Sequence, residues 1–467
     1  MDFFEDQEDE QTEGLVSRFD DMLNQGDRYF FDVDEFEMII DHYLYSNQFD
    51  KTHLAIKLAL EQHPQSVSFL LKKAQLLVSS NNINKALDLL SEVENIEPEN
   101  PEIFMTKAGI YSQLKRYEKA IEEYNKAIKE AEDLEEVYTN IAFEYENLGK
   151  YEKAIEYLIK VLEINPENEA VIYELSFCYE ISSRTKESVE FFTKFLDNNP
   201  YSKAAWFNLG IAYNNSENYE KAIDAYDYAL AIDESFSSAF FNKANSFANL
   251  ELYEKAIENY RETFQYEDPE AMTYYYIGEC YEKMKDFNRS LENYRKAVEL
   301  DPLLADAWLG IGLIYDEKGK FRVAINHIKR ALDIEPTNSD YWYMLGDIQY
   351  KIDLLDDAIE SYRKVVDLDP ANLEIWLDYS HIYALLDDYS KAIEIIDDGI
   401  YHQPDNAEFL YRKFVYTLKS GKYKEAYNIL EDALMMDSEG SKEIFDYDRD
   451  LMKDVNLVRI IELYKKQ

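Results

Sequence analysis

Glycine and proline are scarce, at 13 and 10 in 467 residues, too few for the many turns of a β-sandwich or barrel. Cysteine is scarcer still: Cys178 and Cys280 stand alone, so no disulfide framework holds the chain together. No stretch approaches the roughly 20 apolar residues of a membrane span. The start, Met1-Asp2-Phe3-Phe4-Glu5-Asp6, carries neither a basic nor an apolar leader region, and the expected location is the cytoplasm. Positive charge is the remaining shortage. With 49 Lys and Arg against 95 Asp and Glu the formal net charge is −46, a field that repels nucleic-acid phosphates and anionic lipid and suits a basic partner. Catalytic patterns are missing too: there is no P-loop, no HExxH and no GxSxG. The six histidines do not pair with the cysteines, and the G-x-G of Gly310 and Gly312 lacks the third glycine of a dinucleotide fingerprint. The expectation is a non-enzyme with no cofactor and no metal.

What is present is periodicity. Dividing residues 33–440 into blocks of 34 from Val33 places Pro64, Pro98, Pro166, Pro200, Pro302, Pro336, Pro370 and Pro404 all at block position 32. Proline cannot donate within a helix, so the cycle reads as helical segments separated by proline-marked joints. Position 20 is small in every block, from Thr52 through Ala86, Ala222 and Ala256 to Ala426, which requires two helices to touch closely there. Position 8 is small in ten blocks, including Gly210, Gly278, Gly312 and Gly346. The four tryptophans, Trp206, Trp308, Trp342 and Trp376, all stand at position 4. Positions 1–14 and 18–31 are expected as two helices, A and B, joined by a turn with Gly149, Gly319 and Gly421 at position 15, where a left-handed cap suits glycine.

Trp206, Leu209, Gly210, Tyr213, Ala222 and Tyr226 stand at the spacing of the tetratricopeptide repeat, and the chain resembles long soluble bacterial members of that family. The resemblance covers the 408 residues of 33–440 in uninterrupted register. It implies an all-α fold: a right-handed superhelical α-solenoid of about twelve 34-residue helix-turn-helix repeats, with short capping helices at its ends. It also implies a non-enzymatic protein-binding module whose helices A line a concave groove. Around the repeats, 1–14 is expected as a disordered acidic tail and 15–32 as a capping helix and lead-in, with Leu15, Phe19, Met22 and Leu23 on one stripe. Residues 441–467 are expected to form a closing helix striped by Val455, Val458, Ile461 and Tyr464. Cys178 and Cys280, three repeats apart at inward position 10, are too distant to pair and read as buried thiols.

Helical periodicity puts positions 3, 4, 7, 8, 10 and 11 on the packed side of helix A, leaving 2, 5, 6, 9, 12 and 13 on the other. On that outward side, position 5 supplies the aromatics Tyr173, Phe207, Phe241 and Tyr275 in consecutive repeats. Position 6 supplies Asn140, Asn208 and Asn242, with Asn245 at position 9; Glu174 and Tyr276 interrupt the run. An asparagine offers the donor and acceptor that a peptide backbone needs, and it can equally bond to its own helix. Outward carboxylates surround these residues, Glu174, Glu279 and Glu282 among them, while cations there are few and scattered. A clamp for acidic tails is therefore disfavoured. A groove for a basic or neutral peptide or partner subunit is favoured, held by Asn140, Tyr173, Glu174, Phe207, Asn208, Phe241, Asn242, Asn245, Tyr275, Glu279 and Glu282. The alternative is a structural scaffold or homo-oligomer joined through tyrosine-rich convex or terminal surfaces.

Overall fold

The structure is a computed structural model that describes residues 2–25 and 28–465. It divides into two compact units, Met1–Glu234 and Ser235–Gln467, and no strand occurs among the described residues. In the first unit a helix Asp2–Gln25 precedes six helix pairs: Val33–Tyr45 with Phe49–Gln62, Val67–Ser79 with Ile83–Ile96, Pro101–Gln113 with Tyr117–Ala127, Leu134–Asn147 with Tyr151–Ile164, Glu169–Ile181 with Thr185–Asn198, and Lys203–Asn215 with Tyr219–Ile232. The second unit has six more: Ser237–Asn249 with Tyr253–Thr263, Ala271–Lys283 with Phe287–Leu300, Ala305–Glu317 with Phe321–Ile334, Ser339–Lys351 with Leu355–Leu368, Leu373–Leu385 with Tyr389–His402, and Ala407–Lys419 with Tyr423–Met436. The first helix of each pair is helix A and the second helix B, numbered as repeats 1 to 12.

One contact explains the small residue at position 8. In repeats 6, 8 and 10 the glycine there faces the tyrosine at position 24 of helix B, Tyr226, Tyr294 or Tyr362, and a Cβ on Gly278 or Gly346 would lie only 2.6 or 2.5 Å from a ring carbon. Carbon atoms pack at about 3.5 to 4.0 Å, so in these repeats glycine makes room for the ring as it is placed, while repeats 3 and 7 hold Ala108 with Tyr124 and Ala244 with Tyr260. The twelve alanine, serine and threonine residues at position 20 are buried, as close helix crossing demands.

Every A-to-B turn closes in the same way. The residue at position 15 has positive φ in all twelve repeats: Gly149, Gly319 and Gly421, and nine others from Asn47 (56°) to Asp387 (59°). The next N–H then donates to the carbonyl five residues back, as Gln48 does to Tyr43 and Lys320 to Tyr315, each at 2.8 Å. This is a Schellman closure, which satisfies carbonyls the helix end would otherwise leave without donors.

Tryptophan and proline serve one joint. The indole Nε1 of Trp206, Trp308, Trp342 and Trp376 donates to the carbonyl of Pro200, Pro302, Pro336 and Pro370 at 2.9, 3.0, 2.9 and 3.0 Å. Each bond ties a helix A to the end of the repeat before it. Repeats 3, 6, 7 and 12 have no proline at position 32, and of these repeats 3 and 7 share a shorter helix B of 11 residues, Tyr117–Ala127 and Tyr253–Thr263.

The termini differ from expectation in detail. Residues 2–14 are helical and continuous with the cap as Asp2–Gln25, not a disordered tail. Phe19 and Met22 pack with Phe31, Phe36 and Tyr43 over repeat 1, while Asp20 accepts from Tyr43 and pairs with Lys51. At the other end Val455 is exposed, and the buried stripe of Val455–Tyr464 is Leu457 and Ile461, packed on Phe414 and Leu430. Asp454 caps this helix by accepting from the N–H groups of Asn456 and Leu457.

Candidate functional site

The outward positions of helix A form real recesses in the first unit. One, of about 310 Å³, spans repeats 2 to 4 and is lined by Glu136 at position 2, Met105 at 5, Thr106 and Asn140 at 6, Gln75 at 9, and Val78 at 12. A larger recess of about 990 Å³ shares Met105 and Glu136 with it. It opens where helix B of repeat 3 stops early, and its walls carry Glu97, Glu99, Glu102, Glu130, Glu132, Asp133 and Glu136. Seven carboxylates with no Lys or Arg in the lining make it strongly electronegative.

On repeats 4 and 5 the same face becomes apolar. Phe143 and Phe177 at position 9, Tyr173 at position 5 and Ile181 at position 13 are exposed by 55, 49, 37 and 52%. An aromatic ring half in water on successive repeats is unfavourable for a free surface and favourable for a contact surface. Position 9 belongs to the outward set, so two phenylalanines there in consecutive repeats are the signal of this surface in the sequence.

Of the candidate residues in the first unit, Asn140 lines the smaller recess and Tyr173 is exposed, its ring edge-on to Phe207 at 6.2 Å. Phe207 and Asn208 are not on an open face. Phe207 is buried against Tyr226. Asn208, 1% exposed, donates from Nδ2 to the Ala204 carbonyl of its own helix, which is how so short a polar side chain is buried without an outside partner. Glu174 is half-buried beside Glu146, whose carboxyl is pushed well above the ordinary range by burial and then by its hydrogen bond with Glu174. Glu174 is thus turned toward Glu146 and away from the open face where a peptide would lie.

In the second unit Phe241 packs on Tyr260 and Tyr276, with centroids 5.5 and 5.7 Å away. Asn242 lines a recess of about 210 Å³ with Ser238, Glu267 and Asp268, while its Nδ2 donates to the Ser238 carbonyl. Asn245 accepts from the Tyr260 hydroxyl at 2.5 Å, and Tyr275 lies against Tyr294 and Tyr276. Glu282 accepts from the Tyr294 hydroxyl at 2.7 Å, and burial raises the Glu279 carboxyl. Phe241, Asn242, Asn245, Tyr275 and Glu282 thus already have partners within the second unit. Cys178 and Cys280 are buried free thiols, with Cys280 pushed up to about 12 by burial.

Family models described as tetratricopeptide repeat match residues 135–168, 204–236, 271–302, 309–372 and 353–411. The chain belongs to the tetratricopeptide repeat family. A model described as anaphase-promoting complex, cyclosome, subunit 3 also matches residues 46–127 of this tetratricopeptide repeat chain. Among solved structures it is similar to the APC/C hetero-tetramer Cut9-Hcn1, at 15% identity over 86% of this chain and 89% of that one, with a TM-score of 0.40. MamA is similar at 21% identity over 35% of this chain and 95% of its own, TM-score 0.33. YrrB, described as a TPR protein with an unusual peptide-binding site, is similar at 21% over 40% and 96%, TM-score 0.33. A search of curated proteins finds no match. Tetratricopeptide repeats are protein–protein interaction scaffolds and generally non-enzymatic, and no helix among the described residues is long and apolar enough to cross a membrane.

Proposed function

We propose that the helix A face of repeats 3 to 5 holds an extended segment of a partner protein that is basic at one end and apolar at the other, and that this happens in the cytoplasm. The observation that carries the reading is the row of half-exposed Phe143, Tyr173, Phe177 and Ile181. It lies on the same outward face as the Asn140 recess, which shares Met105 and Glu136 with the acidic recess of repeat 3. Aromatic anchors supply affinity and the carboxylates supply steering. Asn140 is the one asparagine of the expected ladder retained in this reading.

The test is affinity capture with the intact chain, then titration of the captured partner. Replacing Phe143 and Phe177 together by Ser should weaken binding at least about tenfold, with melting unchanged because both rings are exposed. Replacing Glu102, Glu132 and Glu136 by Gln should slow association at low salt and flatten its salt dependence. Glu174→Gln should do neither. A partner retained undiminished by the Phe143/Phe177 variant defeats the proposal. If in addition the chain is dimeric in light scattering and Tyr45, Tyr201, Tyr401 and Tyr423, all exposed, must be changed to make it monomeric, the scaffold reading replaces it.

A further inference from the structure

Glu146 of repeat 4 and Glu174 and Cys178 of repeat 5 converge from two adjacent helices A, and one ligand atom from each lies within 4.8 Å of the others. The thiol is completely buried and aimed at the carboxylates, its Sγ donating to Glu146 Oε1 at 3.6 Å. Tetrahedral zinc with bonds of about 2.0 to 2.3 Å sets its ligand atoms roughly 3.5 Å apart, so this sulfur–oxygen edge already has the length a metal needs.

A second observation is independent of the spacing. Three more-exposed carboxylates of the first unit are neutralised: Asp20 by Lys51, Asp41 by Lys72 and Glu94 by Lys107. Glu146 and Glu174 face each other with no ammonium or guanidinium acting on Glu146 among the described residues. Two half-buried carboxyl groups and a buried thiol, drawn together with nothing positive between them, lack the partner that would offset their repulsion.

We propose that Glu146, Glu174 and Cys178 form a binding site for one thiophilic divalent cation of the zinc type, bridging repeats 4 and 5. A sulfur ligand selects a borderline ion over magnesium or calcium, which take oxygen alone. Three protein ligands leave a fourth position for water or a ligand group. Charge balances without any outside reagent. The empty site holds a proton on sulfur, donated to Glu146; the incoming cation replaces it, and that proton passes to solvent. Since the thiol proton must leave, affinity rises with pH.

Cobalt(II) is the probe, because a thiolate–cobalt bond gives a near-ultraviolet charge-transfer band and tetrahedral coordination gives visible absorption. Chelator-stripped full-length protein should bind one equivalent with both signals, release protons into weakly buffered solution, and lose the colour to added zinc. Cys178→Ser should abolish the charge-transfer band, while Cys280→Ser, which alters the other buried thiol, should keep it. Glu174→Gln preserves shape and thiol and should weaken cobalt binding at least about tenfold. The proposal is overturned if stripped wild-type protein gives no thiolate–cobalt band at excess cobalt, if the band survives in Cys178→Ser, or if Glu174→Gln binds as tightly as the parent. Circular dichroism on each variant identifies loss of fold, and Glu174→Gln decides the matter should Cys178→Ser unfold.

Discussion

At Gly346 a Cβ would lie 2.5 Å from a carbon of the Tyr362 ring that packs between helices A and B. Gly346→Ala should therefore overpack the repeat and lower stability by about 1 to 3 kcal/mol, read as a shift in denaturant midpoint. Combining it with Tyr362→Leu should restore part of the loss, because Ala142 with Leu158 already forms that smaller pair in repeat 4. A double variant no more stable than Gly346→Ala alone would show that the ring is not what excludes the methyl. Residues of this kind were legible in the sequence, since tight contact restricts residue type and the restriction recurs. Asn208 shows the opposite case. Its letter is the same as that of Asn140, but it turns back on the Ala204 carbonyl while Asn140 lines a recess, and which occurs depends on covering side chains that no single position encodes.

The repeated element is a pair of helices closed by a left-handed residue, and Gly319 isolates the energetics of that closure. A Cβ there meets nothing within 4 Å, so the cost of Gly319→Ala is conformational alone, about 1 kcal/mol. Lys285→Gly relieves the same strain at an equivalent turn with φ of 60° and should stabilise repeat 8 by a few tenths of a kcal/mol, the extra freedom of glycine in the unfolded chain offsetting the rest. Thermal melts of the two variants should move in opposite directions. Three glycines at position 15 betrayed this turn in the sequence; the nine other residues, from Asn47 to Asp387, gave no such sign, because Schellman hydrogen bonds hold them in place whatever their side chain. The helix Asp2–Gln25 carries the cap expected within 15–32 back through residues whose acidic composition alone reads as a solvated tail.

At the scale of the whole molecule, charge and burial act together on pH dependence. Burial is the leading cause that raises Glu144, Glu279, Asp378 and Glu408, and it carries Glu146 to about 8 from 4.5. A carboxyl raised on folding adds stability that is complete below its unfolded value and disappears as pH climbs through the folded one. Melting temperature should accordingly rise as pH is lowered from 8 to about 5, helped by the fall in a net charge of −46. Tyrosines impose the alkaline limit by the same sign: Tyr124, Tyr179 and Tyr411 are pushed from 10 to about 12 by burial, so stability should fall steeply above pH 10. A melting temperature that drops on mild acidification, or tyrosinate absorbance that titrates at pH 10 without unfolding, would contradict this.

Each indole whose N–H is bonded to the last proline carbonyl of the preceding repeat loses that bond when the two repeats part, and its emission moves as water replaces the carbonyl. Trp206 thus reports on the boundary of repeats 5 and 6, Trp308 on 8 and 9, Trp342 on 9 and 10, and Trp376 on 10 and 11. Chains keeping one tryptophan apiece would time the opening of four separate boundaries along a single polypeptide, with no dye attached and no label introduced.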